Sequence, residues 1–347
     1  MTGRSVADVL LRVSNLSVQF ASRGRTVRAV NGVDFDLHEK EVLGVVGESG
    51  SGKSVTMMAV LGLNPRPAAR VTGGSILFEG RALATLSERE MAKIRGNRIA
   101  MVFQDPMTAF NPVKKIGHQI EEMILVHMPG LRRPEAARRA VELLRAVEVP
   151  NAEERYHGYP HQFSGGMRQR AMIAMAIANK PRVLIADEPT TALDVTVQAQ
   201  IMSLLESVRA GTDASTILIT HDLGLLAETA QRVLVMYAGR VVESAGVRDV
   251  FRRPAHPYTV GLLASLPRVT SRTARLVPIP GAPPDQMAAQ KGCPFLPRCG
   301  LAAGRALCAE HIPPLAPLGD GRASACHFPE EVPAHAERLL GPRSMPS

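Results

Sequence analysis

The sequence predicts an α/β fold built around one phosphate-binding loop. Three observations carry that prediction. Glu41-Val42-Leu43-Gly44-Val45-Val46 is a short apolar, β-branched run of the kind that forms a buried strand. Gly47-Glu48-Ser49-Gly50-Ser51-Gly52-Lys53-Ser54 completes the pattern G-x-x-x-x-G-K-S. The apolar stretch Val55 to Leu63, rich in Met and Leu, then reads as a helix. Strand, glycine loop and helix in that order are the context such a loop requires. The glycines let backbone N–H groups converge on phosphate oxygens, and the helix N-terminus adds partial positive charge. Lys53 is placed to reach the β- and γ-phosphates and Ser54 to ligate Mg²⁺. The pattern implies a nucleoside triphosphate site.

A chain of 347 residues accommodates one large α/β domain with an appendage, and 45% hydrophobic residues suffice for a sizeable core. The formal charge of +9 points to an anionic neighbour, either nucleic acid or an acidic membrane surface, or to a solvated basic surface alone. Trp is absent and aromatics make up 4%, which argues against a base-stacking platform for single strands. No apolar run approaches the roughly 20 residues of a bilayer span. The stretch Met1-Thr2-Gly3-Arg4-Ser5 lacks a signal-peptide core, so a cytosolic chain is expected. All four cysteines fall between Cys293 and Cys326, which excludes a disulfide framework for the main domain.

Taken in order, residues 9–20 alternate as an edge strand does, with Leu11, Val13, Leu16, Val18 and Phe20 on one period. Phe20 is either a base-stacking aromatic or a core-facing strand residue. Ala21 to Thr26 reads as a turn and Val27 to Leu37 as a second strand. Thr72 to Gly80 is hairpin-like. Ser87 to Ile94 forms a short helix, with Ser87 and Glu90 as a capping box. Ile99 to Phe103 is another buried strand, ending on Gln104, whose polar side chain can reach a metal or an attacking water. Residues 113–149 are helical: Ile116, Ile120, Met123 and Ile124 recur at helical spacing, as do Ala137, Val141, Leu144 and Val147. Gly130, Pro134 and Pro150 punctuate this block.

Ser164 then caps an apolar helix whose start, Gly165-Gly166, admits an anion. Arg182 to Glu188 is a strand ending in two carboxylates. Asp187 is suited to hold Mg²⁺ through water and Glu188 to act as general base. Leu193-Asp194 turns into a helix over Val195–Arg209. The strand Ser215–Thr220 ends in His221, at the C-terminal strand end where α/β ligands bind. Arg232 to Glu243 forms a closing hairpin around Ala238-Gly239.

In this order the motifs resemble the nucleotide-binding subunits of ABC transporters, over about residues 9–250. Gly47–Ser54 matches Walker A, Gln104 the Q-loop, Ser164-Gly165-Gly166 the signature, Val183–Asp187 with Glu188 Walker B and its catalytic glutamate, Leu193-Asp194 the D-loop, and His221 the H-loop. Met167 departs from the pattern, standing where many members carry Gln. The resemblance implies a P-loop NTPase core, with a RecA-like sheet, an antiparallel edge subdomain and a helical subdomain inserted over about 105–165. It also implies Mg-ATP as cofactor, with Ser54, Gln104 and Asp187 at the metal. Two such ATPases pair head to tail, so a second ATPase subunit, in this case a heterodimer partner, is expected together with two transmembrane permeases.

Phe103-Gln104-Asp105-Pro106, Tyr159 to Arg170, His256-Pro257-Tyr258-Thr259 and Cys293 to Cys299 are similar to the dipeptide/oligopeptide branch of bacterial importers. Parts of that branch are shared with nickel and sugar importers. The branch implies an ATPase on the cytoplasmic face of the membrane and, indirectly, an extracytoplasmic peptide-binding protein. A nucleic-acid ATPase is the competing reading of the basic charge. Against it, Ser54 to Ser164 has room only for the ordinary helical block, and one cassette is present; no nucleic-acid partner is expected. An ATP-locked regulatory subunit is opposed by the intact Glu188 and His221.

Residues 251–347 form a Pro- and Arg-rich, loop-rich extension with the spacing Cys293-x5-Cys299-x8-Cys308-x17-Cys326. Four thiols in a cytosolic segment suggest a metal site. Zinc sites favour C-x-x-C pairs, absent here; the spacing is not that of a ferredoxin either. An iron–sulfur cluster, zinc and unliganded thiols all remain open on the residues. The resemblance, through members that carry a [4Fe–4S] cluster at this place, implies the cluster.

Overall fold

The computed structural model describes residues 9–22, 25–191, 193–266, 278–284, 287, 290–302 and 304–340. The chain divides into two compact units that do not follow chain order. One holds Leu37–Glu41 and Leu83–Ile219, and the other Leu10–Asp36, Val42–Ala82 and Thr220 onward.

In the first unit, the strands Ile99–Val102, Val183–Asp187 and Ser215–Thr220 run parallel, with Val183 aligned to both Ile99 and Ser215. Every residue of the three is buried. This is why their sequences read as continuous apolar runs rather than alternating ones. The capping box predicted at Ser87 is present: Ser87 Oγ accepts from the Glu90 N–H at 3.3 Å, and the Ser87 N–H donates to Glu90 Oε2 at 2.9 Å.

The helical block is built from Ile116–His127, Arg133–Ala146, Ala152–Tyr156 and Gly165–Ile177. Ile116, Ile120 and Ile124 are buried as expected. On the second helix the buried register is Ala136, Ala140, Leu144 and Val147, one residue earlier than expected at its first two positions. Adjacent alanines at 136 and 137, with Ala140 beside Val141, left the face underdetermined by hydropathy, and packing buries Ala136 and Ala140. Gly117 lets the Tyr156 ring lie against the first helix, since a Cβ there would stand 2.1 Å from the ring. Tyr156 donates to buried Glu121 at 2.6 Å. Burial and that carboxylate together hold the phenol protonated by raising its pKa.

In the second unit, an antiparallel sheet has the strand order Arg25–His38, Val9–Ser22, Ala69–Phe78, Arg81–Ala82. The predicted turn Ala21–Thr26 is shorter than expected, because strand continues to Ser22 and resumes at Arg25; residues 23–24 lie outside the described residues. A second ribbon pairs Val42–Val46 parallel to Arg232–Tyr237, which turns through Ala238-Gly239 into the antiparallel strand Arg240–Gly246. Both turn residues have positive φ, 50° and 76°, as a tight hairpin of this hand requires.

The C-terminal residues are more regular than their composition suggests. The hairpin Ala316–Gly319/Arg322–Ser324 adds to this ribbon through Glu243 opposite Ser324, and the helices Pro257–Ala264 and Val332–Leu340 pack on each other. Buried Glu243 anchors the start of the first helix, accepting from the Ala255 and His256 N–H groups at 2.8 and 3.0 Å and from Thr259 Oγ1 at 2.6 Å. Burial pushes its carboxyl up to about 7. Among the described residues, no helix is long and apolar enough to cross a membrane.

Candidate functional site

In the second unit the phosphate loop follows the buried strand Val42–Val46 and opens the helix Lys53–Val60. Gly52 adopts φ +98°, and a Cβ there would meet the Ala29 carbonyl at 2.5 Å, so the backbone passes where only glycine fits. Lys53 is buried and donates to the Gly47 and Glu48 carbonyls at 2.8 and 3.0 Å. The ammonium is thereby folded over the loop rather than extended into solvent. Ser51 Oγ is buried with no hydrogen-bond partner among the described residues, a polar atom suited to an incoming oxygen ligand. Phe20 is half-buried, opposite Ala69 on the antiparallel sheet, so it is neither a fully enclosed core residue nor a free ring. His221 follows the strand Ser215–Thr220 and is exposed.

In the first unit the C-terminal ends of the three parallel strands bring Gln104 and Glu188 together. Gln104 Nε2 donates to Glu188 Oε2 at 3.0 Å, and Thr191 Oγ1 donates to the same oxygen at 2.9 Å. Glu188 has φ +44°, in the left-handed region that disfavours a side-chain-bearing residue, with its N–H bound to the Ile219 carbonyl at 2.9 Å. Such strain costs on the order of 1–3 kcal/mol and persists where surrounding structure enforces it. Asp187, one residue earlier, is buried. The sequence singles out Gln104 and Glu188 but not Thr191, whose only local signal is the hydroxyl three residues after a strand-end acid.

Ser164 caps the helix Gly165–Ile177 through the Met167 N–H at 3.3 Å, leaving Ser164 and Gly165 exposed. Asp194 caps Val195–Thr212 through the Val197 N–H at 2.9 Å, and the two caps adjoin: a Cβ on Gly166 would stand 3.0 Å from Val197. Arg170, buried behind them, ties this helix to the Val147 carbonyl at 2.9 Å and to Gln200 at 3.0 Å. On the same unit Val113, Lys115, His118, Leu125, Val126 and Tyr159 line an open groove. Val113 and Val126 are 79% and 65% exposed there, apolar surface of the kind that marks an interaction site.

The four cysteines are free thiols that line one cavity with Phe295, Leu296 and Phe328. Burial, and then the neighbouring thiols, push Cys293 up to about 11 and Cys326 up to about 12. Among the described residues no group of three or more His, Cys, Asp or Glu side chains has the arrangement of a metal ion's ligands. The expected metal-binding extension is therefore present as a gathered set of thiols and not as a formed metal centre. His327 beside Cys326 faces the same cavity, while its Nε2 lies 3.0 Å from the His311 carbonyl.

Comparison with known proteins follows these motifs. Residues 30–191 match the ABC transporter family, and residues 242–306 match the oligopeptide/dipeptide transporter C-terminal region. The chain is 50% identical over 333 residues to a probable peptide ABC transporter ATP-binding protein of Sinorhizobium fredii, covering 96% of this chain and 98% of that one. It is 49% identical to the oligopeptide transport ATP-binding protein OppD of Salmonella typhimurium, over 94% of this chain and 95% of the other. With the dipeptide transport ATP-binding protein DppD of Bacillus subtilis the identity is 51%, over 84% and 87%. The fold matches the dimeric post-hydrolysis structure of the ATP-binding cassette MJ0796 bound to ADP and Pi, with a TM-score of 0.62 and 27% identity, covering 69% of this chain and 99% of the other.

Proposed function

We propose, from the premise that this chain belongs to the ABC transporter family as an ATP-binding subunit of the peptide-transport branch, that it hydrolyses ATP to power import of di- and oligopeptides through separate permease subunits. The observation that carries the peptide reading is the match of residues 242–306 to the oligopeptide/dipeptide transporter C-terminal region, beside 50% identity over 96% of the chain to a probable peptide ABC transporter ATP-binding protein. Peptide substrates never touch this subunit; it supplies the ATPase stroke.

In this reading Lys53 and the loop N–H groups hold the β- and γ-phosphates, with Ser54, Asp187 and Gln104 at Mg²⁺. Phe20 supports the base. Glu188 takes a proton from the attacking water, its carboxylate steered by Gln104 and Thr191. His221 holds the γ-phosphate. Ser164-Gly165-Gly166, exposed at its first two residues, and exposed Asp194 serve the partner ATPase's nucleotide, as one loop already suffices for this chain's own. ATP-driven closure and product-driven opening then bias the permeases between their two states. The groove at Val113 and Val126 receives the permease, and the chain works at the cytoplasmic face of the membrane.

Reconstitution with cognate permeases and peptide-binding protein tests this. ATP hydrolysis is expected to rise several-fold with peptide-loaded binding protein, and labelled peptide to accumulate. Stimulation by nickel or a sugar, with none by peptide, would reassign the substrate.

The finer proposal concerns the thiols. Cys293, Cys299, Cys308 and Cys326 line one apolar cavity, and four thiolates are the donor chemistry of a [4Fe–4S] cluster. When bound, such a cluster supplies a covalent clamp across the extension and a one-electron store. Protein purified without oxygen is expected to show a broad band near 400 nm and about four irons and four sulfides per chain. Stoichiometric zinc, or colourless metal-free protein, would overturn that assignment and leave the ATPase untouched.

A further inference from the structure

We propose that Arg298 is a positioning residue for the phosphate loop, so that the C-terminal extension sets the chain's affinity for nucleotide. The inference rests on the nucleotide reading above, but on different residues. Arg298 closes the short 3-10 turn Leu296–Arg298 between Cys293 and Cys299, 250 positions from Glu48, the second residue of the phosphate loop. Its guanidinium meets the Glu48 carboxylate through two bonds, Nη1 to Oε2 at 2.7 Å and Nη2 to Oε1 at 2.9 Å. The Arg298 side chain is 4% exposed. A two-pronged pair with one partner nearly dry is geometrically specific in a way that surface pairs are not.

The guanidinium is itself fixed. Arg298 Nε donates to the Pro280 carbonyl at 2.9 Å, and Nη1 lies 3.3 Å from Tyr237 Oη. Phe295, three residues earlier, packs edge-on against Tyr237 and Tyr258. A second contact holds the same loop residue by its backbone, since the Glu48 N–H donates to Tyr258 Oη at 2.8 Å. Tyr258 belongs to the helix Pro257–Ala264, so both grips on Glu48 come from the C-terminal region. Glu48 in turn offers its carbonyl to Lys53 Nζ at 3.0 Å. The path from Arg298 to the phosphate-binding ammonium therefore runs through one residue. Loop shape matters to affinity because inward N–H groups bind phosphate only when held in a converging geometry.

The matched control is Arg305, which makes the same kind of fork in the same extension, to Glu331 at 3.0 and 2.7 Å, without touching the phosphate loop. The experiment measures the affinity of the full-length chain for MgATP, using a fluorescent ATP analogue, together with KM and kcat of the subunit assembled with its permeases. Arg298→Gln is expected to weaken MgATP binding about tenfold, with the loss falling on KM rather than kcat. Arg298→Lys restores part of the affinity. Glu48→Gln reproduces the loss from the other side of the contact, and the double variant is no weaker than the weaker single one. Arg305→Gln stays within about twofold of the unaltered chain.

The inference is overturned if Arg298→Gln binds as the unaltered chain does, if Arg305→Gln loses as much, or if the two losses simply multiply. Should Arg298→Gln fail to fold, Glu48→Gln with the Arg305→Gln control decides the matter. Failure of the unaltered chain to bind ATP would instead sink the nucleotide reading itself.

Discussion

Glu188→Gln binds MgATP with near-unaltered affinity and hydrolyses it at least a hundredfold more slowly: that is the expected result of removing the base while keeping its shape. General bases contribute typically 10²–10⁴-fold. The carboxylate is prepared for the role by three independent constraints. The parallel register of Val183–Asp187 with its neighbours delivers it to the C-terminal strand edge. Its backbone is pinned at φ +44° by the Ile219 carbonyl. Gln104 and Thr191 donate to one oxygen, Oε2, at 3.0 and 2.9 Å. Both donors on one oxygen orient the carboxylate. Glutamine keeps the volume and an acceptor oxygen, so the strand end stays formed, but its amide takes no proton. Single-turnover hydrolysis and equilibrium ATP binding check this together. A rate within tenfold of the unaltered chain would remove Glu188 from the role of base.

Lys53→Ala has the second largest expected effect, and on a different quantity. Here binding itself fails, with the dissociation constant for MgATP rising about two orders of magnitude. Hydrogen bonds to charged groups are worth about 1.5–3 kcal/mol each, and this ammonium is buried, so solvent does not substitute for it. The variant also loses the brace from Nζ to the Gly47 and Glu48 carbonyls at 2.8 and 3.0 Å. A loop that loses both charge and brace presents its N–H groups less well. Isothermal titration with MgATP gives the direct reading. If Lys53→Ala retained affinity while losing turnover, the side chain would act on the transition state alone.

The two variants thus separate binding from chemistry, a distinction legible from sequence. A glycine loop between a buried strand and a helix, a strand ending in Asp187-Glu188, and a capped Ser164-Gly165-Gly166 are local patterns. Their meaning is set by residue chemistry and spacing over a few positions. Periods and caps are dictated the same way, which is why Ser87–Glu90 and Ile116, Ile120 and Ile124 fall where the pattern places them.

Where two faces are nearly equal in hydropathy, as at Ala136 and Ala137, local pattern does not choose between them and packing does. Thr191 escaped notice because a hydroxyl acquires its role only when the turn after Glu188 folds it back. The four cysteines announce a common purpose by their grouping, yet their convergence on one cavity is a product of the hairpin and helices around them. Arg298 and Glu48 are the extreme case. Each is an unremarkable charged residue in its own neighbourhood, and only chain folding across 250 positions makes them partners. By itself the sequence determined the main elements of the ATPase core, its family and the branch of that family, because those depend on near neighbours. Tertiary structure alone decided which distant charges meet and which side chains hold Glu188 in place, because contact between remote residues has no local signature.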